Sequence, residues 1–379
     1  MLFHEELANH KFIVLCKDHY NPLGLVRSLG ECGVRPIVYC ASERPSLVKA
    51  SRYVGEFIRV DSAQQGLDMI IDRFGGEEST PFLLTSDDDS ESVVDANFDR
   101  LIGRFHFFHG RKGGDVVHFM DKDNISRAAA KVGFRIPRAE VHNRGEMPRD
   151  IPYPIITKSI MSIVGGWKDD VFICRSDEEL REAYKKIQAP RLLIEEYIEK
   201  KNEFCAEGLS INSGAEIFMP FQITYNRFSE KAFGYYTKVE PFADENLREK
   251  IRRLIAETGY SGVFEIEFLI DKNDELVFLE INFRNSGWSY SASYGGGCLP
   301  TNWARWTLAG GIDTSDLTLR QTPFMGMHEP SDFKENVLSR KVGLLKWLWQ
   351  FHKCECTYYF NWKDNMPIVN SLFSKIFHR

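Results

Sequence analysis

The stretch from Gly262 to Arg284, GVFEIEFLIDKNDELVFLEINFR, constrains this chain more than any other. Hydrophobic residues recur at every second position on both sides of a polar centre, the period of a strand and not of a helix. Strands over residues 264–270 and 276–283 put Phe264, Ile266, Phe268 and Ile270 on one face, and Val277, Leu279, Ile281 and Phe283 on the matching face of the partner. Lys272-Asn273-Asp274-Glu275 suits a hairpin turn. A four-residue turn pairs Asp271 with Leu276, which sets Glu267 opposite Glu280 and Glu265 opposite Asn282. Directly opposed side chains have Cβ atoms about 4.5–5.5 Å apart, and like charges there repel. Glu against Glu calls for a cation or a proton between them. Oxygen ligands of this kind suit Mg²⁺, which is held by one or two carboxylates together with substrate phosphates. Glu267, Glu280 and Asn282 form such a set; the alternative is a solvated strand face whose acids point into water.

The first hundred residues alternate between short apolar runs and helical spacing. Strands are expected near 12–16, 36–40, 57–60 and 81–85, with helices over 23–29 and 67–74, which implies a parallel α/β sheet. The turn 17–24 lacks GxGxxG, so it supports no dinucleotide site. After the strand at 82–85 comes Ser86-Asp87-Asp88-Asp89-Ser90-Glu91. These acids either face a ligand crevice at a strand's carboxyl end or cap a helix N-terminus, and the second reading is favoured. A boundary falls near 111–114. Asp121 then precedes a helix over 123–132, with Gly133 as its C-terminal stop. Strands at 154–158 and 171–173 flank a small-residue loop, and a helix follows over 177–187.

Length and charge narrow the function classes. A chain of 379 residues implies two to three domains. Its net charge of −6 argues against the basic surface of a nucleic-acid binder. No apolar run approaches the length of a membrane span. The polar, acidic opening MLFHEELANHK is unlike a secretory leader. Eight scattered cysteines without CxxC read as reduced, mostly buried thiols of a cytoplasmic protein, with no zinc site.

Over residues 115–310 the chain resembles the ATP-grasp ligase superfamily. Glu267 followed by Glu280-Ile281-Asn282-Phe283-Arg284 looks like that family's metal element. The resemblance implies that Glu267, Glu280 and Asn282 bind Mg²⁺ (two ions, with Mn²⁺ as a substitute) and that Arg284 steadies a phosphorylated intermediate. Lys122 in Met120-Asp121-Lys122 and Lys158 in Ile155-Ile156-Thr157-Lys158 resemble the two phosphate-contacting lysines, and Lys158 is also assigned a catalytic part. Glu195, Glu196, Tyr197 and Ile198 resemble the hinge that reads adenine, and Glu203 the acid that holds the ribose. Ser162 to Gly166 resembles a phosphate-covering loop in which Gly165 and Gly166 let backbone N–H groups approach oxygens; only two glycines are present, so an ordinary turn is the other reading. Lys238 is a further candidate for the phosphates, from a segment around 225–231 that would cover the site. Two lysines and Mg²⁺ would offset the charge of a transferring phosphoryl group.

Within the superfamily the chain is similar to the carboxylate–amine ligases that include D-aspartate ligases of cell-wall assembly. Asn21-Pro22-Leu23-Gly24 and Glu280 to Gly287 carry that likeness. It implies ATP-dependent joining of a small carboxylate to an amine, an amino acid or cell-envelope peptide, with release of ADP and phosphate. A biotin carboxylase or carbamoyl phosphate synthase-like enzyme shares the same core, and a nucleotide-binding regulatory or adaptor protein is the rival from another class. The expected fold is ATP-grasp, α/β and α+β: a Rossmann-like parallel domain over 1–112, a small subdomain over 113–190, a metal-bearing subdomain over 191–312 and a C-terminal appendage over 313–379. Polar Ser, Tyr and Gly residues over 286–297 suit a substrate-shaping loop. From Arg340 onward seven basic residues face two acids, with aromatics between them. That tail is expected to pack its aromatics on the core as a helix; peripheral contact with an anionic membrane is the alternative. A homodimer is the oligomer considered.

Overall fold

The computed structural model describes residues 5–42, 46–160, 170–228 and 233–370. The N-terminal apolar runs become a parallel sheet. Its elements are β1 (Phe12–Lys17), α1 (Tyr20–Glu31), β2 (Ile37–Ala41), β3 (Glu56–Val60), α2 (Ala63–Phe74), β4 (Phe82–Thr85), α3 (Asp88–Ala96), α4 (Phe98–Leu101) and β5 (His106–Phe107). The strand order is β3-β2-β1-β4-β5, all parallel. Central strands of such a sheet are covered on both faces and therefore read as continuous apolar runs; β4 is buried along its whole length. Leu23, Val26 and Leu29 of α1 pack on one face, and Leu67, Ile70 and Phe74 of α2 on the other. The order reverses between β1 and β4. Loops leaving those two strands therefore diverge and open a crevice at their carboxyl ends.

Two helices, α5 (Asp115–Met120) and α6 (Lys122–Lys131), lead out of this domain. The Asp121 side chain caps α6, accepting from the backbone N–H groups of Asp123 at 2.9 Å and Asn124 at 3.2 Å. Next come β6 (Ala139–Asn143), β7 (Ile155–Ser159), β8 (Phe172–Cys174), α7 (Asp177–Tyr184) and β9 (Arg191–Glu196). These strands form an antiparallel sheet, β6-β9-β7-β8, on which α7 packs Leu180 and Ala183. The small sheet thus extends to Glu196, past the expected boundary at 190, because β9 pairs with both β6 and β7.

The remaining elements are β10 (Lys200–Ile211), β11 (Glu216–Arg227), β12 (Tyr236–Pro241), α8 (Glu245–Thr258), β13 (Gly262–Asp271), β14 (Leu276–Asn282), α9 (Ser289–Tyr294), α10 (Leu299–Ala309), β15 (Phe324–Met327), α11 (Glu329–Asp332), α12 (Leu344–Lys353) and β16 (Cys356–Thr357). Their seven strands are ordered β14-β13-β10-β11-β12-β15-β16. Since β15 and β16 belong to this sheet, the segment after 313 is partly an extension of it and not a separate appendage.

The hairpin forms with one correction. Leu276 pairs with Ile270 and not with Asp271, whose carboxylate instead accepts from the N–H groups of Asn273 and Glu275 inside the turn. One extra residue of β14, Leu279, then bulges and restores the expected opposition of Glu267 to Glu280 and of Glu265 to Asn282. The bulge trades side chains between faces. Phe278 takes the buried position, against Phe134 and Phe268, and Leu279 leaves the apolar face.

The C-terminal aromatics divide. Trp347 and Tyr358 are buried, whereas Trp349 and Trp362 stand in solvent, so packing on the core accounts for part of the segment only. Asp364 anchors it: Arg27 of α1 and Asp364 form a fully buried pair at 2.9 Å, and Arg27 also donates to the carbonyls of Tyr358 and Tyr359. All eight cysteines are free thiols, and only Cys354 is less than fully buried. Among the described residues, no helix is long and apolar enough to cross a membrane.

Candidate active site

Antiparallel register decides which side chains meet. Glu207 lies opposite Glu265, which lies opposite Asn282; Cys205 lies opposite Glu267, which lies opposite Glu280. Directly opposed residues share a face, so β10, β13 and β14 present two rows of carboxylates on one side. The reverse side carries Phe204, Phe264, Ile266 and Phe268 and is core. Asn282 Nδ2 donates to Glu267 Oε1 at 2.8 Å and to Glu265 Oε2 at 3.1 Å. Lys122, at the first turn of α6, pairs with Glu280. Arg284 donates from Nε to Asp88 Oδ1 at 2.7 Å and from a terminal nitrogen to Asn282 Oδ1 at 3.0 Å.

These charges are crowded and short of solvent. Burial, then the charge of Glu265, push the Glu267 carboxyl up to about 8. Glu265 is raised by burial and by Glu207, and its Oε1 is buried without a hydrogen-bond partner. Glu207 is itself raised to about 7 by burial, although Ser286 and Ser289 each donate a hydroxyl to it at 2.6 Å. Lys122 is lowered to about 8 by burial and by the nearby charge of Lys158. Burial works against Arg284, yet Asp88 and Glu265 hold its pKa above the ordinary value. Buried carboxylates with too few compensating charges suit a bound cation. Among the described residues no group of three or more His, Cys, Asp or Glu could hold an ion alone. Two carboxylates and an amide oxygen instead fit Mg²⁺, which takes its remaining ligands from phosphate and water.

Two hollows flank this acidic face. The first, about 110 Å³, lies between the small and large sheets. Lys158 of β7 reaches into it and pairs with Glu195 of β9 at 2.5 Å. Glu196, Tyr197 and Ile198 line one side, and Glu203, Lys200, Leu269 and Leu279 the other. Lys200 pairs with Glu203. Glu196 also holds Arg138, accepting from Nε at 3.0 Å. The second hollow, about 590 Å³, lies between the large sheet and the crevice of the parallel domain. Lys17, His19, Tyr20 and Asn21 enter it from the junction of β1 and α1, and Asp87 to Asp89 from the junction of β4 and α3. Glu265, Glu267, Glu280, Asn282 and Arg284 form its floor, with Phe233, Tyr235 and Trp288 as an aromatic wall. Gly287 is required where it stands, because a Cβ there would come within 2.3 Å of the Tyr20 ring.

The structure therefore brings Lys122, Glu267, Glu280, Asn282 and Arg284 into one cluster and sets Lys158, Glu195 to Ile198 and Glu203 around the adjoining cleft. It does not bring Lys238 to either. Lys238 pairs across β11 with Thr224 and so with Phe204, on the core side of the sheet, and its amine meets Glu240 at 2.7 Å. Gly165 and Gly166 lie outside the described residues, as does most of the covering segment after Phe228. The acidic run at 86–91 does both things considered for it: Asp87 caps α3 through Ser90 N at 2.9 Å, and Asp88 meets Arg284. Sequence reasoning missed Glu207, Leu269, Lys200 and the aromatic wall. The period-two pattern Glu203-Phe204-Cys205-Ala206-Glu207 was the available signal for Glu207.

Residues 128–292 match the ATP-grasp domain family. An N5-carboxyaminoimidazole ribonucleotide synthase of Staphylococcus aureus is 26% identical over 169 residues, 44% of each chain. A D-alanine–D-alanine ligase of Fusobacterium nucleatum is 27% identical over 170 residues, 43% of this chain and 55% of the relative. The chain thus spans about half the length of the curated relatives it matches. Solved structures extend the likeness in fold. The N5-carboxyaminoimidazole synthetase of S. aureus complexed with ADP superposes with a TM-score of 0.67 at 17% identity, over 87% of this chain and 86% of the other. An L-amino acid ligase from Bacillus licheniformis gives 0.65 at 13%, over 83% and 79%. Residues 128–292 thus match an ATP-grasp domain, and the chain shares the fold of these structures, with the parallel domain in front of the two facing sheets.

Proposed function

We propose that this protein is an ATP-dependent carboxylate–amine ligase that works through an acyl phosphate and releases ADP and phosphate. One observation supports this above the rest: the carboxylate face, with Arg284 at its edge, floors a 590 Å³ cavity, and a neighbouring cleft holds Lys158 and Glu203. Mg²⁺–ATP bound in the cleft would supply the phosphoryl group. Glu267, Glu280 and Asn282 would hold the metal, Lys122 and Lys158 would neutralise phosphate oxygens, and Glu203 would take the ribose. Leu269 and Leu279 offer an apolar floor for a base. Arg284 presents a planar fork suited to a carboxylate or phosphate, anchored by Asp88. The cavity behind it has room for a small acid and an amine. An amino acid or cell-envelope peptide is the narrower reading for these. The ribonucleotide synthase relatives favour a second one, in which bicarbonate is the acid.

Incubation with ATP, Mg²⁺, a panel of carboxylic acids including bicarbonate, and hydroxylamine as surrogate amine tests the reading. Hydroxamate with stoichiometric ADP is expected for one class of acid, and acid-dependent ADP formation without hydroxamate marks the bicarbonate case. AMP and pyrophosphate would mean adenylation and overturn it. ATP binding without turnover across the panel would favour the regulatory rival.

A further inference from the structure

The helix α12, Leu344-Leu345-Lys346-Trp347-Leu348-Trp349-Gln350-Phe351-His352-Lys353, has two apolar sides, and the fold uses only one. Trp347 is its single buried residue; it packs on Phe333 and Phe351 and belongs to a core cluster with Tyr236 and Met327. Its indole N–H donates to Asp332 Oδ2 at 2.8 Å, and Asp332 also receives Arg227 and the Asn336 amide at 3.0 Å. The inner side is therefore rigidly held. Successive residues turn by about 100°, so Leu344, Leu345, Leu348 and Trp349 form one outward stripe. Leu345 is 83% exposed and Trp349 61%. Single exposed leucines need no explanation, but a contiguous apolar stripe on a folded helix does.

The charges around the stripe select its partner. Lys346 and Lys353 fall beside one another at its margin, and Arg340, Lys341 and Lys363 are exposed nearby in sequence. The two acids of this region are occupied: Glu355 holds Arg320 at 2.7 Å, and Asp364 is buried on Arg27. A basic margin on a chain of net charge −6 is a local reversal of sign. An apolar helical face edged by lysines matches the boundary of an anionic lipid surface, where the face enters the acyl region and the amines stay at the headgroups. A second copy would set the same lysines against each other across a two-fold axis. Single-stranded nucleic acid would need aromatic platforms for stacked bases, whereas three of the four stripe residues are leucine. We infer that α12 docks this protein on an anionic membrane surface, with Leu344, Leu345, Leu348 and Trp349 inserted and Lys346 and Lys353 at the headgroups. Because Asp332 fixes the inner side, the helix is presented already folded, and docking carries no folding cost.

Sedimentation of the full chain with vesicles tests this. Phosphatidylcholine vesicles with about one-third phosphatidylserine should pull the protein down at low salt, pure phosphatidylcholine much less, and high salt should release it. Lys346→Gln with Lys353→Gln should weaken partitioning about thirtyfold, since each basic residue near such a surface contributes about a factor of five. Leu345→Glu with Trp349→Glu should abolish it while leaving the melting temperature within a degree or two of the parent's, as expected for exposed positions. Equal binding to both vesicle types, or binding unchanged by these variants, would overturn the proposal. So would a dimer in solution that Leu345→Glu dissociates, which gives the face to a second copy, or equally tight, equally variant-sensitive binding to single-stranded DNA.

Discussion

Arg284 and Asp88 meet at 2.7 Å from positions 196 residues apart, and their contact joins the end of the β13–β14 hairpin to the first residue of α3 in the parallel domain. Neither partner is placed by its own element alone. Arg284 lies just beyond β14, where pairing has ended, and the Asp88 carboxylate holds it at the edge of the 590 Å³ cavity that both line.

Arg284→Ala is expected to leave ATP affinity nearly intact while lowering hydroxamate formation about a hundredfold or more. Asp88→Asn should lose less, because it frees the guanidinium without removing it. Isothermal titration with ATP beside the hydroxamate assay checks both. An equal loss in affinity and turnover would assign Arg284 to ground-state binding instead.

The crowded carboxylates set a pH dependence in metal-free protein. An unfolded glutamate titrates near 4.3, and burial with Glu265 brings the folded Glu267 up to about 8. A raised carboxyl favours the folded state only while protonated. Stability should fall as pH rises between those values and level off above the higher one. Melting temperatures from pH 5 to 9 should show this decline, Mg²⁺ with ATP should reverse part of it, and Glu267→Gln should flatten it while reducing turnover at limiting Mg²⁺.

Glu91 is a further raised carboxyl, on α3 and outside the β10–β13–β14 carboxylate rows. Its side chain is fully buried, which raises its pKa well above the ordinary range, although the Thr85 hydroxyl donates to it. Its other oxygen has no partner. Glu91→Gln keeps an acceptor for Thr85 and removes the charge. The variant should match the parent near pH 5 and exceed it by several degrees at pH 8, measured by calorimetry.

Breaking the Arg27–Asp364 pair should cost about 3–5 kcal/mol, because a fully buried charge is left without its partner. Asp364→Ala tests this by urea unfolding. Arg27→Met with Asp364→Leu should recover much of the loss. Failure of the double variant to recover would show that the bonds from Arg27 to the carbonyls of Tyr358 and Tyr359 matter more than the ion pair.

Much of this protein is determined by local pattern. The hairpin over Gly262 to Asn282, with its acids on one face, follows from a two-residue period around a polar turn, and the parallel domain from apolar runs alternating with helical spacing. Such features were legible because strand period and turn chemistry act over neighbouring residues. Tertiary structure decided the rest. The turn consumed one residue more than expected and the bulge at Leu279 returned it, a compensation that depends on β14 finding its register against the whole sheet. Lys238 went to the core side because β12 pairs with β11 in that register. Glu207, Asp88 and the aromatic wall of Phe233, Tyr235 and Trp288 joined the site from elements distant in sequence. Alternation states which residues share a face; only the packing of three sheets states which faces meet.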